Sequence, residues 1–175
     1  MHSDDAARHP GAYHILACRR STVAITDTRS RPLVLAVNGS AASAAAARWA
    51  SDLAIDLGSE VVVVHALPLG EQFVHDVVPV ELKAWRKILE RHLLGDWCQP
   101  LMECNVAHRV MIVERPPAAA LIGIATRERA SHIILGGREG GPRAEDRTSH
   151  LARHLAAHAT CRIVSVPWAP AAVSP

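Results

Sequence analysis

The stretch ILGGREGGPRAEDRTSHL, residues 134–151, contains the residue types of a phosphate-binding loop. An apolar run leads to Gly136 and Gly137, and a polar segment then leads into a pattern with helical spacing. Glycine allows the backbone to approach a ligand closely, and the free N–H groups at a helix N-terminus attract anions. The stretch is therefore a candidate site for a nucleotide phosphate.

Three histidines that recur every four residues form a second candidate: His150, His154 and His158. A pair at this spacing can bind a metal ion. No Glu, Asp or Cys is spaced with the pair to complete such a site, so we interpret the histidines as a solvated helix face and predict no metal centre. His65 closes an apolar run, and we interpret it as a core histidine bonded to backbone.

The usual signatures of hydrolases and nucleotide-dependent enzymes do not occur in the chain. The sequence has no G-x-S-x-G, no G-x-x-x-x-G-K-[ST], and no G-x-G-x-x-G in the turn NGSAAS at residues 38–43. Ser40 has no evident base partner, and its place before an alanine-rich helical pattern predicts a helix N-cap. We therefore predict no catalytic residues and no enzymatic activity.

Composition narrows the class of protein further. The 175 residues are 49% hydrophobic and 21% charged, which is typical of one globular domain. A net charge of +2 without a one-sided basic stripe argues against a nucleic-acid partner. No apolar run is long enough to span a membrane, and Asp4 and Asp5 stand where a signal peptide carries cations. We expect a cytoplasmic protein with reduced cysteines.

Short apolar runs alternate with helical patterns along most of the chain. The runs cover residues 32–37, 60–66, 108–113, 132–137 and 162–166, and the helical patterns cover residues 40–58, 79–97, 116–130 and 147–161. This order predicts a single-domain α/β fold, a doubly wound, Rossmann-like sheet of five parallel strands. Ligands of such sheets bind where the winding reverses, which here lies between Asn38 and Gly136.

Domain boundaries follow from the same pattern. Residues 1–31 are polar and broken by Pro10 and Gly11, so we expect a poorly ordered extension with a short strand near Val23 to Ile25. The folded domain is predicted over residues 32–168, with a tail over 169–175. Trp49 and Trp85 fall on the inner stripes of the first two helical patterns and are predicted to be core residues.

The segments LVLAVNGSAASAAAARWASDLAIDLGSEVVVVHALP, VERPPAAALIGIATRERASHIILGG and CRIVSVP resemble the universal stress protein family over about residues 31–168. His65, Pro117 and Cys161 fall on the family's landmarks. The resemblance implies a nucleotide-alpha-hydrolase-like fold. It also implies a homodimer that pairs through the last strand, from Arg162 to Val166, which Trp168 follows.

Nucleotide-binding members of that family carry a glycine motif, from which this chain departs. Counted back from Cys161, Gly136 takes the first glycine position, Glu139 the second, Ser149 the third and His150 the hydroxyl position. Asn38 replaces the family's usual aspartate, and its amide can both donate and accept. The implied nucleotide site comprises Asn38, the Ala66 backbone, Gly136, Gly137, Arg138, Ser149 and His150.

Two hypotheses follow for the function. In one, the protein is a non-enzymatic, cytosolic, dimeric stress-response module whose adenine-nucleotide pocket is degenerate. In the other, it is a genuine ATP- or AMP-binding member that uses the cleft between the first and fourth strands. ATP or AMP is the only cofactor that either hypothesis includes.

Overall fold

The fold is an α/β sandwich in a computed structural model that describes residues 13–19, 30–67, 79–138 and 145–168. The strands are β1 (Tyr13–Arg19), β2 (Leu33–Ala36), β3 (Val61–Ala66), β4 (His108–Val113), β5 (His132–Arg138) and β6 (Arg162–Trp168). The helices are α1 (Ala41–Leu57), α2 (Pro79–Leu94), α3 (Gln99–Glu103), α4 (Pro117–Arg127) and α5 (Glu145–His158). None of the described helices is long and apolar enough to cross a membrane.

The sheet has the order β1-β4-β3-β2-β5-β6, in which β2 to β6 run parallel. This arrangement confirms the predicted doubly wound parallel sheet of five strands. The winding reverses between β2 and β5, because the chain continues from β2 to β3 on one side and from β5 to β6 on the other, as expected for a fold of this class. One hydrophobic cluster packs α1, α2 and α3 against one face of the sheet, and a second packs α4 and α5 against the other.

Strand β1 lies within residues 1–31, for which the sequence predicts a poorly ordered extension. This strand pairs antiparallel with β4, from Tyr13 opposite Val113 to Arg19 opposite His108. A short apolar run between polar flanks gives a weak strand signal, but β4 would otherwise present unpaired N–H and C=O groups at the sheet edge. The predicted strand at Val23 to Ile25 and the tail at 169–175 lie outside the described residues.

Helix α1 begins and ends as its sequence predicts. The Ser40 hydroxyl accepts a hydrogen bond from Ser43 N–H at 3.1 Å, and Gly58 ends the helix in the left-handed region at φ 59°. The buried stripe consists of small residues only, so the helix lies close to the sheet. Trp49 is 38% exposed, which corrects its predicted place in the core. The buried alanines and serines of α1 make the contact with the sheet instead.

The helix predicted over residues 79–97 ends three residues early, and a separate short helix follows it. Helix α2 ends at Leu94, a turn at residues 95–98 follows, and α3 begins at Gln99. Leu89 and Leu93 are buried as their spacing predicts, whereas the side chain of Trp85 lies outside the described residues. The turn places Trp97 against the first hydrophobic cluster.

Candidate functional site

A cavity of about 540 Å³ opens at the carboxyl ends of β2, β3 and β5. This volume lies within the range of small-molecule sites, and the position is the reversal point at which ligands of this fold class bind. The first turn of α1 forms one wall, and α4 and α5 form another through Pro117, Leu121 and Leu151. The cleft between Asn38 and Gly136 is therefore open.

Most of the cavity wall is apolar. Its side chains belong to the cluster on the α4 and α5 face of the sheet: Ala36, Val64, Ala66, Leu121, Leu135 and Leu151. Trp168, at the end of β6, adds a half-buried aromatic ring. Small residues on β2 and β3 opposite larger ones on β5 and the helices leave a space suited to an apolar or aromatic group.

The polar rim is set by the turn that follows β2. The Asn38 side-chain oxygen accepts hydrogen bonds from Ser40 N–H at 3.1 Å and from Ser40 Oγ–H at 2.7 Å. Ser40 in turn caps α1. The oxygen of Asn38 is thus used within the turn, and its Nδ2 group has no hydrogen-bond acceptor among the described residues. Asn38 is therefore available to a ligand as a donor.

Ala66 presents its backbone to the cavity because β2 is shorter than β3. The N–H groups of Val61 and Leu67 donate to β4, so by alternation the N–H and C=O of Ala66 face β2. Pairing of β2 with β3 ends at Ala36 and Val64, before the level of Ala66. A donor and an acceptor on one residue thus lie at the cavity, which is the pattern that complements the edge of an adenine ring.

The two glycines of β5, Gly136 and Gly137, lie against different neighbours. A Cβ on Gly136 would overlap the backbone of Ala42 and lie 2.7 Å from Ser43 N, so glycine is what lets the first turn of α1 lie against β5. A Cβ on Gly137 would meet the Ser165 hydroxyl on β6 instead. Gly136 lines the cavity, whereas Gly137 is not part of the described wall.

The family model described as Universal stress protein family matches residues 29–167, which is most of the chain. The chain belongs to this family. No curated protein sequence matched the chain.

Solved structures share the fold. A universal stress protein from Archaeoglobus fulgidus is 22% identical with a TM-score of 0.61, over 77% of this chain and 97% of that one. The same organism's protein in complex with dAMP is 20% identical with a TM-score of 0.55, over 77% and 96%. A family protein from Arabidopsis thaliana with AMP bound is 15% identical with a TM-score of 0.54, over 82% and 95%. At these identities the likeness establishes the fold.

The structure brings together only part of the universal stress protein motif. Asn38, Ala66 and Gly136 line the cavity. The backbone of Arg138 pairs with Trp168 at the end of the sheet, while its side chain and that of Ser149 lie outside the described residues, as does Glu139. His150 is exposed on α5 and is not part of the described wall. Trp168 and Leu151 line the cavity and were not predicted, although Trp168 directly follows the last predicted strand.

His65 is the buried, backbone-bonded histidine that the sequence predicts. Its Nδ1–H donates to the Val37 carbonyl at 2.8 Å, and its ring packs against Trp97 and does not line the cavity. Burial lowers the pKa of His65, and the bond to Val37 opposes that shift. The ring is therefore neutral at pH 7 and donates through Nδ1.

Proposed function

We propose that this universal stress protein is a non-enzymatic, cytosolic and dimeric stress-response module that binds an adenine mononucleotide in the cavity beside Asn38. The observation that carries the proposal is the Ala66 backbone, whose N–H and C=O face an apolar cavity of about 540 Å³. The base would occupy the apolar part, and Asn38 Nδ2 would donate to a ribose hydroxyl.

The structures of family members with dAMP and with AMP support this ligand class. Both ligands are adenine monophosphates. The described wall of the cavity in this chain has no charged side chain, so affinity would come from the nucleoside part of the ligand. The first turn of α1 adds backbone N–H groups that favour an anion nearby.

Departures from the family motif favour a monophosphate over a triphosphate. Glu139 takes a glycine position, and its negative charge brings the net charge of the loop to zero, because Arg138, Arg143 and Arg147 are matched by Glu139, Glu145 and Asp146. A longer phosphate chain therefore meets no net positive charge. In this sense the site is degenerate at its phosphate end.

Calorimetric titration with AMP and ATP tests the proposal. We expect AMP to bind and to raise the melting temperature, and ATP to bind no more tightly than AMP. Absence of heat and of any rise in melting temperature at millimolar AMP would contradict the proposal. That result would favour a stress-response module whose degenerate pocket holds no nucleotide.

A cavity-filling variant locates the site. Ala66→Leu extends a side chain into the apolar cavity and should weaken AMP binding by about tenfold or more, equivalent to about 1.4 kcal/mol. Ala157→Leu makes the same change at an exposed position of α5 and should leave the affinity unchanged. Equal affinities for both variants would place the ligand elsewhere.

A further inference from the structure

We propose that His65, which does not line the cavity, is a positioning residue that keeps the Ala66 N–H free for a ligand by occupying the Val37 carbonyl. The expected effect of His65 on ligand binding rests on the proposed function. The competition between His65 and Ala66 N–H for the Val37 carbonyl does not. The contact is the hydrogen bond from the His65 ring to the Val37 carbonyl.

The hydrogen-bond ladder between β2 and β3 stops one step early. Val37 N–H donates to the Val64 carbonyl at 3.0 Å, as a regular parallel pair requires. The next bond of the ladder would run from Ala66 N–H to the Val37 carbonyl. Pairing ends instead at Ala36 and Val64, and within the described residues the Val37 carbonyl accepts from the His65 ring. A side chain thus replaces a backbone donor.

This replacement decides what faces the cavity. If Ala66 N–H donated to the Val37 carbonyl, this N–H would be used inside the sheet, and only the C=O of Ala66 would face the cavity. A buried carbonyl needs a partner, so some donor has to satisfy Val37. With His65 as that donor, the carbonyl is satisfied and Ala66 keeps its N–H for a ligand.

Packing holds the His65 ring in this position. The indole of Trp97 lies against it, with ring centroids 5.3 Å apart and an interplanar angle of 56°. Trp97 also stacks on His92, with ring centroids 6.5 Å apart. His65 is 9% exposed, so its ring has little room for another rotamer.

Amide hydrogen exchange of the ligand-free protein tests the competition directly. In His65→Leu, which removes the donor, Ala66 N–H should take over the Val37 carbonyl, and its exchange should slow by about tenfold. His65→Asn keeps a side-chain N–H close to the position of Nδ1 and should restore fast exchange. Slow exchange of Ala66 N–H in the wild-type protein would overturn the proposal. Faster exchange in His65→Leu would also overturn it, because a purely structural role of His65 predicts that the end of β3 loosens when the ring is removed.

His108 provides a matched control. It is 5% exposed, and its Nδ1–H donates to the Val106 carbonyl at 2.8 Å, at the opposite end of the sheet. His108→Leu and His65→Leu should both lower the melting temperature, but His108→Leu should not slow Ala66 exchange. A slowing of Ala66 exchange in both variants would also overturn the proposal.

AMP titration separates this inference from the proposed function. If the wild-type protein binds AMP, His65→Leu should weaken binding by about tenfold, the value of one hydrogen bond, whereas His65→Asn and His108→Leu should not. Unchanged affinity in His65→Leu would contradict the role in binding. If the wild-type protein binds no AMP, the proposed function fails, while Ala66 exchange still decides whether His65 holds the Val37 carbonyl.

Discussion

Gly39 and Gly58 both adopt positive φ, at 78° and 59°, but their surroundings differ. A Cβ on Gly39 would overlap the Trp97 indole and lie 2.8 Å from its Cε2 atom. A Cβ on Gly58 would meet nothing within 4 Å. Backbone conformation alone therefore requires glycine at position 58. At position 39 the Trp97 ring, which packs on the turn beside the cavity, also leaves no room for a side chain.

Alanine substitutions separate these two effects. Gly58→Ala should lower the free energy of unfolding by about 1 kcal/mol, the cost of a left-handed alanine. Gly39→Ala should cost about 2–4 kcal/mol, because overlap with Trp97 adds to that strain. Urea denaturation measures both. Adding Trp97→Leu to Gly39→Ala should recover part of the extra loss in free energy of unfolding. Equal losses for Gly39→Ala and Gly58→Ala would show that the Trp97 indole moves aside without cost.

At the scale of elements, the cavity depends on how closely α1 approaches β5. The buried stripe of α1 consists of Ser43, Ala46, Ala47, Ala50, Ser51 and Ala54, and Gly136 meets the first turn of the helix without a side chain. Small residues on both sides place the start of α1 at the rim of the cavity, where its capped first turn supports Asn38.

Gly136→Ala should disturb this contact more than Gly137→Ala. The new methyl group at position 136 meets helix backbone, which can move only with α1, and should cost about 3 kcal/mol. At position 137 it meets the Ser165 hydroxyl, which can rotate away, and should cost about 1 kcal/mol. Thermal unfolding and AMP titration of both variants provide the comparison. An AMP affinity reduced equally by both would show that the contact with α1 does not shape the site.

At the scale of the whole molecule, the two edges of the described sheet differ. Antiparallel β1 covers β4 at one edge, while β6 forms the other. Arg162 N–H donates to Ser131, so by alternation the N–H groups of Ile163 and Ser165 face away from β5. Pro167, which has no N–H, also falls on the outward side, where proline does not interrupt the sheet. β6 therefore presents the N–H groups of Ile163 and Ser165 at its free edge, where the proposed pairing with a second copy would take place.

The proposed homodimer through β6 can be tested at this edge. Ser165→Pro removes one outward N–H from each copy without a loss from the β5 ladder. With about 1 kcal/mol for each lost bond, the dimer dissociation constant should rise about thirtyfold. Ser165→Ala keeps the N–H and should remain dimeric. Sedimentation at several protein concentrations measures both, and a Ser165→Pro variant that dimerises like the wild-type protein would place the interface elsewhere.

Local signals predicted much of the fold. The apolar runs predicted five parallel strands, and Ser40 and Gly58 predicted the ends of α1, because caps and buried strands depend on residue types close together in the chain. Asn38 and Gly136 were predicted to be neighbours from strand order, and the resemblance to the universal stress protein family added the Ala66 backbone; all three line the cavity.

The sequence by itself therefore determined the class of fold and the place of the cavity that is the candidate site, since both follow from periodicity and strand order. Only the tertiary structure decided the pairing of β1 with β4, the exposure of Trp49, and the contacts of Trp97 with Gly39 and His65. These features join residues far apart in the chain, so they depend on the geometry of packed elements. The early end of the β2–β3 ladder, which leaves the Ala66 backbone at the cavity, is of the same kind.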